Sequence, residues 1–155
     1  MNEKRGGIQQ ALPKIKQYCA FQERSHSEVK EKLFALGLNK EEMDPIIARL
    51  IEENYLNEQR FAIHFAGGHF RLKQWGKIKI RHALKQKQVS DYCSRKAIQE
   101  IDDITYIEVL KSLAEKKLSL LKGEKNVWVK RKKLQDYLLQ KGYEPELIRE
   151  EVAKL

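Results

Sequence analysis

The sequence has little of what a disulfide framework, a membrane span or an export signal requires. Its only cysteines, Cys19 and Cys93, are far apart and in no metal-ligand spacing, so we expect buried free thiols. No apolar run approaches the roughly 20 residues of a membrane span, and the first ten residues contain no apolar signal core. We therefore expect a cytoplasmic protein with no membrane partner.

Residue patterns for catalysis and for metal or phosphate binding are also missing. The eight glycines are scattered and form no phosphate-binding loop. The carboxylates between Glu28 and Glu53 are typical of a solvated helix face, and no nucleophile–histidine arrangement can be inferred. The four histidines contain no H-x-x-x-H pair: His26, His64, His69 and His82. We expect no enzymatic activity, no metal and no cofactor.

No useful strand alternation is present, whereas one helical pattern occurs three times. Val29–Leu50, Ile80–Ile101 and Leu134–Leu155 superimpose without a gap. The apolar positions coincide: Val29, Ile80 and Leu134; Leu33, Leu84 and Leu138; Leu38, Val89 and Tyr143; Leu50, Ile101 and Leu155. A fixed period of this length indicates a repeat array whose units cannot bury their apolar faces alone. The sequence predicts an all-α tandem repeat of three three-helix units.

The predicted boundaries follow from this period. Residues 1–7 are polar, contain a Gly-Gly pair and form a predicted flexible N-terminus. Residues 8–56 form an acidic first repeat, residues 57–101 a basic second repeat and residues 102–155 a third repeat. The first helix is predicted from Ala11, which places Pro13 in its first turn.

Several local signals refine the helix ends. Ser25 and Glu28 form a predicted capping box, and Gly37 ends the helix that they open. Pro45 indicates either a helix capped by Asp44, which we favour, or a kink. The pair at residues 67–68, both glycine, indicates a break or a close helix crossing, with a flexible joint as the alternative.

Charge is unevenly distributed along the chain. The formal net charge is +9, which favours a polyanionic or acidic partner. Glu28–Glu58 carries eight acids and four bases, whereas Lys111–Lys133 carries nine bases and two acids. Arg71–Lys87 has seven bases and no acid. The basic charge is therefore concentrated in the second repeat and the start of the third.

A candidate partner-binding face follows from helical spacing. Positions 77, 81 and 85 recur every four residues and share one helix face, opposite Ile80 and Leu84. The candidate residues are Arg71, Lys73, Lys77, Arg81 and Lys85, continued by Lys125, Lys130, Arg131 and Lys133. A solvated helix face is the alternative. Trp75, also a candidate, and Trp128 stand beside basic runs and either anchor a partner or fill a seam between helices.

Arg24–Leu33 contains the pattern R-S-x-x-E-V-x-x-K-L, and Tyr55–Ala62 contains Y-L-N-E-x-R-F-A. These segments are similar to the R-S-x-x-E-L-x-x-K-L and Y-L-D-D-x-R-F-A motifs of RecX proteins, the regulators of the RecA recombinase. Arg71–Val89 resembles R…G-x-x-R-I-x-x-x-L…I. The departures are Asn57 for Asp, Lys79 for Arg and Gln88 for Gly. Asn still caps a helix, but Gln lacks the easy left-handed conformation of Gly, so we expect a different turn there.

The resemblance implies an elongated, curved molecule that lies in the groove of a RecA–DNA filament. It implies inhibition of filament extension, ATP hydrolysis, strand exchange and co-protease activity, without enzymatic activity of its own. We expect a monomer that contacts RecA and, in addition or instead, single- or double-stranded DNA. Two alternatives stay open: a helix-turn-helix-like DNA-binding module, and a helical adaptor for another acidic partner.

Overall fold

A computed structural model describes residues 2–155, with side chains described from Gly7 onward. The described chain is all-α and contains no strand. Its nine helices are α1 (Asn2–Phe21), α2 (His26–Ala35), α3 (Lys40–Glu52), α4 (Glu58–Lys73), α5 (Lys77–Gln86), α6 (Asp91–Gln99), α7 (Asp103–Leu120), α8 (Val127–Lys141) and α9 (Pro145–Val152). The all-α prediction is confirmed.

The chain divides into two compact units. Unit 1 comprises Met1–His64 and Leu84–Lys96, and unit 2 comprises Phe65–Ala83 and Ala97–Leu155. Helices α4, α5 and α6 each contribute residues to both units. This division differs from the three predicted repeats, whose boundaries stay a prediction.

Helices α1, α2 and α3 enclose the main core of unit 1. Ile15, Val29, Leu33 and Leu50 are fully buried in one apolar cluster with Leu56. Burying each such aliphatic side chain contributes roughly 1.5–3 kcal/mol relative to leaving it exposed. The side chain of Ser25 accepts from the Glu28 N–H at 3.1 Å, and the Glu28 carboxylate accepts from the Ser25 N–H at 3.1 Å. The predicted capping box is therefore confirmed.

The three aligned segments end their middle helices in the same way. The N–H groups of Leu38, Val89 and Tyr143 donate to the carbonyls of Leu33, Leu84 and Leu138 at 3.2, 3.1 and 3.2 Å. This is the hydrogen bond of a Schellman motif, whose turn residue is left-handed. The turn residues are Gly37 (φ 90°), Gln88 (φ 61°) and Gly142 (φ 98°). The expectation of a different turn at Gln88 is wrong, because the surrounding hydrogen bonds hold glutamine in the same left-handed region.

Two predictions of helix starts are corrected. Helix α1 begins at Asn2, so Pro13 lies inside it, and the flexibility of residues 1–7 stays a prediction, with Met1 outside the described residues. Helix α3 begins at Lys40, because Asn39 forms a capping box with Glu42 and starts the helix before Asp44 can cap it. Pro45 therefore lies within the helix.

The glycine pair at residues 67–68 interrupts nothing, because α4 is continuous from Glu58 to Lys73. A Cβ added at Gly68 would meet no atom within 4 Å. The three atoms nearest to a Cβ at Gly67 would all belong to the guanidinium of Arg71, one turn further along the same helix. Both the predicted break and the predicted close crossing are wrong.

Candidate partner-binding site

The α4–α5 linker of unit 2 is bound directly to the turn between α8 and α9. The Gly76 N–H donates to the Lys141 carbonyl at 2.8 Å, and the Ile78 N–H donates to the Gly142 carbonyl at 3.0 Å. A Cβ at Gly76 would lie 2.3 Å from the Gly142 carbonyl carbon, and a Cβ at Gly142 would lie 2.2 Å from the Lys79 Cβ. Only glycine at both positions permits this backbone approach.

Two lysine ammonium groups reinforce the same contact. The Lys79 Nζ donates to the Gln140 carbonyl at 3.2 Å, and the Lys141 Nζ donates to the Lys73 carbonyl at 3.2 Å. Both carbonyls lie near helix C-termini, where a cation is favourable. These bonds fix the backbone on either side of Trp75 and Lys77.

A buried pair of tyrosines supports the linker. The Tyr106 hydroxyl accepts from the Lys77 N–H at 3.0 Å and donates to the Glu144 carboxylate. The Tyr143 hydroxyl donates to the Gln74 carbonyl at 3.0 Å, and the two rings stack with centroids 5.1 Å apart. Burial is the main cause that raises the pKa of Tyr106, and the hydrogen bond to Glu144 raises it further. Burial likewise raises the pKa of Tyr143. Both hydroxyls therefore stay protonated donors.

Lys77 is part of this packed network and does not behave as a free surface cation. Its Nζ lies 3.2 Å from an Asp103 carboxylate oxygen and 4.5 Å from the Tyr106 ring centroid. Its side chain keeps 23% exposure. Helical spacing grouped Lys77 with Arg81 and Lys85, but its side chain is occupied by a structural ion pair.

Arg81 and Lys85 extend from the exposed face of α5. Ile80 and Leu84, on the opposite face, are fully buried. In the described part of the chain, neither cation has an ion pair. Lys85 belongs to the α5 segment of unit 1, and Arg81 belongs to unit 2. These two residues are the members of the predicted α5 face that are available to a partner.

Trp75 lies beside an aromatic column with two cations against it. The Phe65 and His69 rings stack at 3.9 Å between centroids, and the His69 and Trp75 rings are 4.6 Å apart. The Nζ atoms of Lys73 and Lys79 lie 5.4 and 4.8 Å from the Trp75 ring centroid. Trp75 is half-buried, so it both packs against α4 and presents part of its ring. Lys73 and Arg71 are exposed near the end of α4.

The basic residues before and within α8 are mostly in local contacts. The Arg131 guanidinium donates to the Leu155 carbonyl at 2.9 Å, and the Lys133 Nζ lies 3.8 Å from a Glu124 carboxylate oxygen. Lys125 is exposed and Lys130 is half-buried. Trp128 is 77% exposed, which excludes core packing for its ring. Among the described residues, no hydrogen bond, ion pair or ring contact joins these cations to those of α5.

Sequence reasoning missed the residues that hold the linker: Gly76, Lys79, Tyr106, Lys141 and Gly142. Gly142 aligns with Gly37 in the repeat pattern, but the approach of Gly142 to Lys79 joins positions 63 residues apart in the chain. No short-range spacing encodes such a contact.

The described residues form neither a metal-ligand cluster nor a membrane-spanning helix. No cluster of three or more His, Cys, Asp or Glu side chains is placed to hold a metal ion. None of the described helices has the length and apolar character needed to cross a membrane.

Comparison with known proteins identifies the family. Family models described as the second and third three-helix domains of RecX match residues 57–98 and 105–152. "Regulatory protein RecX" of Prosthecochloris aestuarii is 31% identical over 94% of this chain and 93% of its own length. The same-named protein of Chlorobaculum tepidum is 34% identical over 83% of this chain and 79% of its own length.

A solved structure has the same fold. The crystal structure of RecX from Lactobacillus salivarius matches with a TM-score of 0.86 and 23% identity, covering 97% of each chain. Family models, relatives aligned along most of the chain and a shared helical fold lead to one assignment: the chain belongs to the RecX family of regulatory proteins.

Proposed function

We propose that this chain binds the RecA recombinase within the groove of its DNA filament and inhibits filament extension, ATP hydrolysis, strand exchange and co-protease activity. Family membership supports the regulatory role. The observation that supports the contact is that five of the predicted contact cations are exposed and have no ion pair with any described residue: Arg71, Lys73, Arg81, Lys85 and Lys125. Such cations keep their hydration and their long-range field until a negatively charged partner arrives.

The proposed contact surface is narrower than helical spacing indicated. Lys77, Arg131 and Lys133 are engaged within the chain, so using them for a partner would break existing contacts. Arg81 and Lys85 would lose no ion pair on binding. Trp75 joins the surface as a half-buried ring held beside Lys73, because aromatic anchors next to cations are common binding hot spots. Lys130, half-buried on α8, is kept in the proposed set of contact residues.

A binding titration tests this surface. The full chain, labelled with a fluorophore, is added to assembled RecA–single-stranded-DNA filaments and followed by anisotropy. The double variant Arg81→Glu, Lys85→Glu should bind at least about tenfold more weakly, because each tenfold corresponds to 1.4 kcal/mol and two reversed charges remove roughly that much or more.

The matched control reverses the same amount of charge elsewhere. Lys116 and Lys122 are exposed and have no ion pair within the described residues. The variant Lys116→Glu, Lys122→Glu should keep affinity within about threefold. Equal losses in both variants would mean that net charge alone drives binding, and no loss in either would remove the α5 face from the proposal.

A DNA-binding module is the second candidate. The exposed basic face of α5, the middle helix between α4 and α6, favours it, because the second helix of a helix-turn-helix unit reads the major groove. This candidate predicts duplex binding without RecA, with log K falling steeply as log salt rises. Affinity for bare duplex that equals the affinity for filaments would favour it, and binding to neither would favour an adaptor for another acidic partner.

A further inference from the structure

A second cluster of cations and aromatic rings lies in unit 1, away in sequence from the proposed contact surface. A cavity of about 360 Å³ is lined by Lys14, Gln17, Tyr18, Phe21, Arg24 and Lys32. These residues belong to α1, to the segment after it and to α2. We call this set the Arg24 pocket. Residues 8–56 carry eight acids and seven bases, and three of those bases line this one pocket.

Arg24 lines this pocket and is held by two contacts with Tyr18. Its Nε donates to the Tyr18 carbonyl at 3.0 Å, and its guanidinium carbon lies 3.6 Å from the Tyr18 ring centroid. The Lys32 Nζ lies 5.6 Å from the same ring. Stacking and the Nε bond fix the plane of the guanidinium, and within the described residues its two terminal NH₂ groups have no hydrogen-bond or ion-pair partner. A guanidinium fixed in this way is ready for a bidentate acceptor.

The pocket also offers an apolar anchor. Phe21, at the end of α1, is 82% exposed. An exposed phenyl ring and an arginine with a fixed guanidinium line the same pocket. Interface hot spots often combine these two features, because burial of the apolar side chain contributes affinity and the charged group orients the partner. The complementary ligand therefore presents an apolar side chain and an acidic oxygen pair close together.

Acidic side chains around the pocket discriminate between classes of polyanion. Glu28 and Glu31 lie near enough to Tyr18 to raise the pKa of its hydroxyl, after the larger effect of burial, while Arg24 lowers it. A nucleic acid backbone carries a charge at every phosphate, and so a strand that left the pocket along α2 would meet the exposed carboxylate of Glu31. The Glu28 carboxylate is only 18% exposed and is bound to the Ser25 N–H. A single carboxylate next to an apolar residue would meet only the cations.

We propose that the Arg24 pocket binds a short acidic segment of a protein partner, with a carboxylate on Arg24 and an adjacent apolar side chain against Phe21. Lys14 and Lys32 supply positive potential at its sides. This surface lies in unit 1 and does not depend on the α5 cations, so it can be true whether or not those contact a RecA filament.

Nuclear magnetic resonance of the full ¹⁵N-labelled chain tests the proposal. The probe is a short peptide of alternating glutamate and phenylalanine, compared with its glutamine–phenylalanine analogue and with a short oligothymidylate. The glutamate peptide should shift the amide signals of residues 14–32 and bind about tenfold more tightly than the analogue, since charge-assisted hydrogen bonds are roughly twice as strong as neutral ones.

Two variants and one control complete the test. Arg24→Gln should reduce affinity for the glutamate peptide about tenfold. Phe21→Ser should reduce it by a similar factor, and the fold should be unaffected because the Phe21 side chain is exposed. Lys30→Gln removes an equal charge from exposed α2 surface outside the pocket and should change affinity less than twofold. Unchanged circular dichroism confirms that the variants are folded.

Three outcomes would overturn the proposal. Equal binding of the glutamine analogue would show that no carboxylate is recognised. Stronger shifts with oligothymidylate at residues 14–32 would assign the pocket to nucleic acid. No shift with any probe at millimolar concentration would leave the cluster without a ligand of this kind.

Discussion

Gly142 gives the sharpest test of the contact that organises unit 2. Gly142→Ala places a methyl group 2.2 Å from the Lys79 Cβ and 2.8 Å from the Lys79 backbone nitrogen. The backbone at φ 98° also strains any residue with a Cβ. Left-handed strain costs about 1–2 kcal/mol, and forcing a methyl into a packed contact costs about 1–3 kcal/mol. Alanine recovers about 0.4–1 kcal/mol by restricting the unfolded chain, which leaves a loss of about 3 kcal/mol.

Gly37 is the matched control, because it has the same backbone conformation without the crowding. Its φ is 90°, and a Cβ there would meet no atom within 4 Å. Gly37→Ala should therefore cost only the net strain, about 1 kcal/mol. The difference of about 2 kcal/mol between the two variants isolates the contact between the α8–α9 turn and the α4–α5 linker.

Urea unfolding followed by circular dichroism and by tryptophan fluorescence measures this difference. Trp75 and Trp128 both lie in unit 2, so fluorescence reports the unit that contains Gly142. The circular dichroism midpoint, which reports the helices of both units, should fall strongly in Gly142→Ala and little in Gly37→Ala. Fluorescence should show the same fall for Gly142→Ala, because Gly142 and both tryptophans lie in unit 2. Equal destabilisation in the two variants would refute the close approach of Gly142 to Lys79.

Three further predictions use the same network and its repeats. Gln88→Gly should raise the free energy of unfolding in urea by about 0.5–1 kcal/mol, because the relief of left-handed strain exceeds the entropy that glycine adds to the unfolded chain. A lower free energy of unfolding would contradict the presence of backbone strain at Gln88. The contribution of Tyr106 to the free energy of unfolding should be fully present below pH 10, because its pKa is raised in the folded chain and the fold favours the neutral hydroxyl. Above pH 10 this contribution should fall by up to roughly 1.4 kcal/mol per pH unit. Tyr106→Phe should remove that part of the alkaline slope, and an identical slope in the variant would be inconsistent with it. Lys77→Ala should lower the urea midpoint more than Arg81→Ala does, because only the Lys77 substitution breaks an ion pair and uncovers an aromatic ring. A larger fall of the midpoint in Arg81→Ala would contradict a structural role for Lys77.

Much of the helical framework was predictable from local pattern. Leu33, Leu84 and Leu138 align by period and are all fully buried, because a repeated 3.6-residue periodicity directly encodes which face is covered. Helix ends were predictable where one strong signal stood alone, as with Ser25 and Glu28. At Pro45 two signals competed, and the capping box at Asn39 began the helix earlier.

The candidate site was less predictable, since helical spacing gives the face of a residue but not its tertiary partner. Lys77 and Arg81 share a spacing, yet Asp103 and Tyr106 engage only Lys77. At Gln88 the local residue type gave the wrong expectation, because a helix-end hydrogen-bond pattern decides the backbone conformation. Its side chain argued against a left-handed turn, but the bond from Val89 to Leu84 imposes that conformation.

The rate of ATP hydrolysis by RecA on single-stranded DNA tests the central claim most directly. Purified RecA from the same source is titrated with the full chain, and the variant Arg81→Glu, Lys85→Glu is titrated in parallel. The account predicts that hydrolysis falls progressively as the chain is added and that the variant is needed at about tenfold higher concentration for the same effect. A hydrolysis rate that stays constant up to a molar excess of the unmodified chain would contradict it.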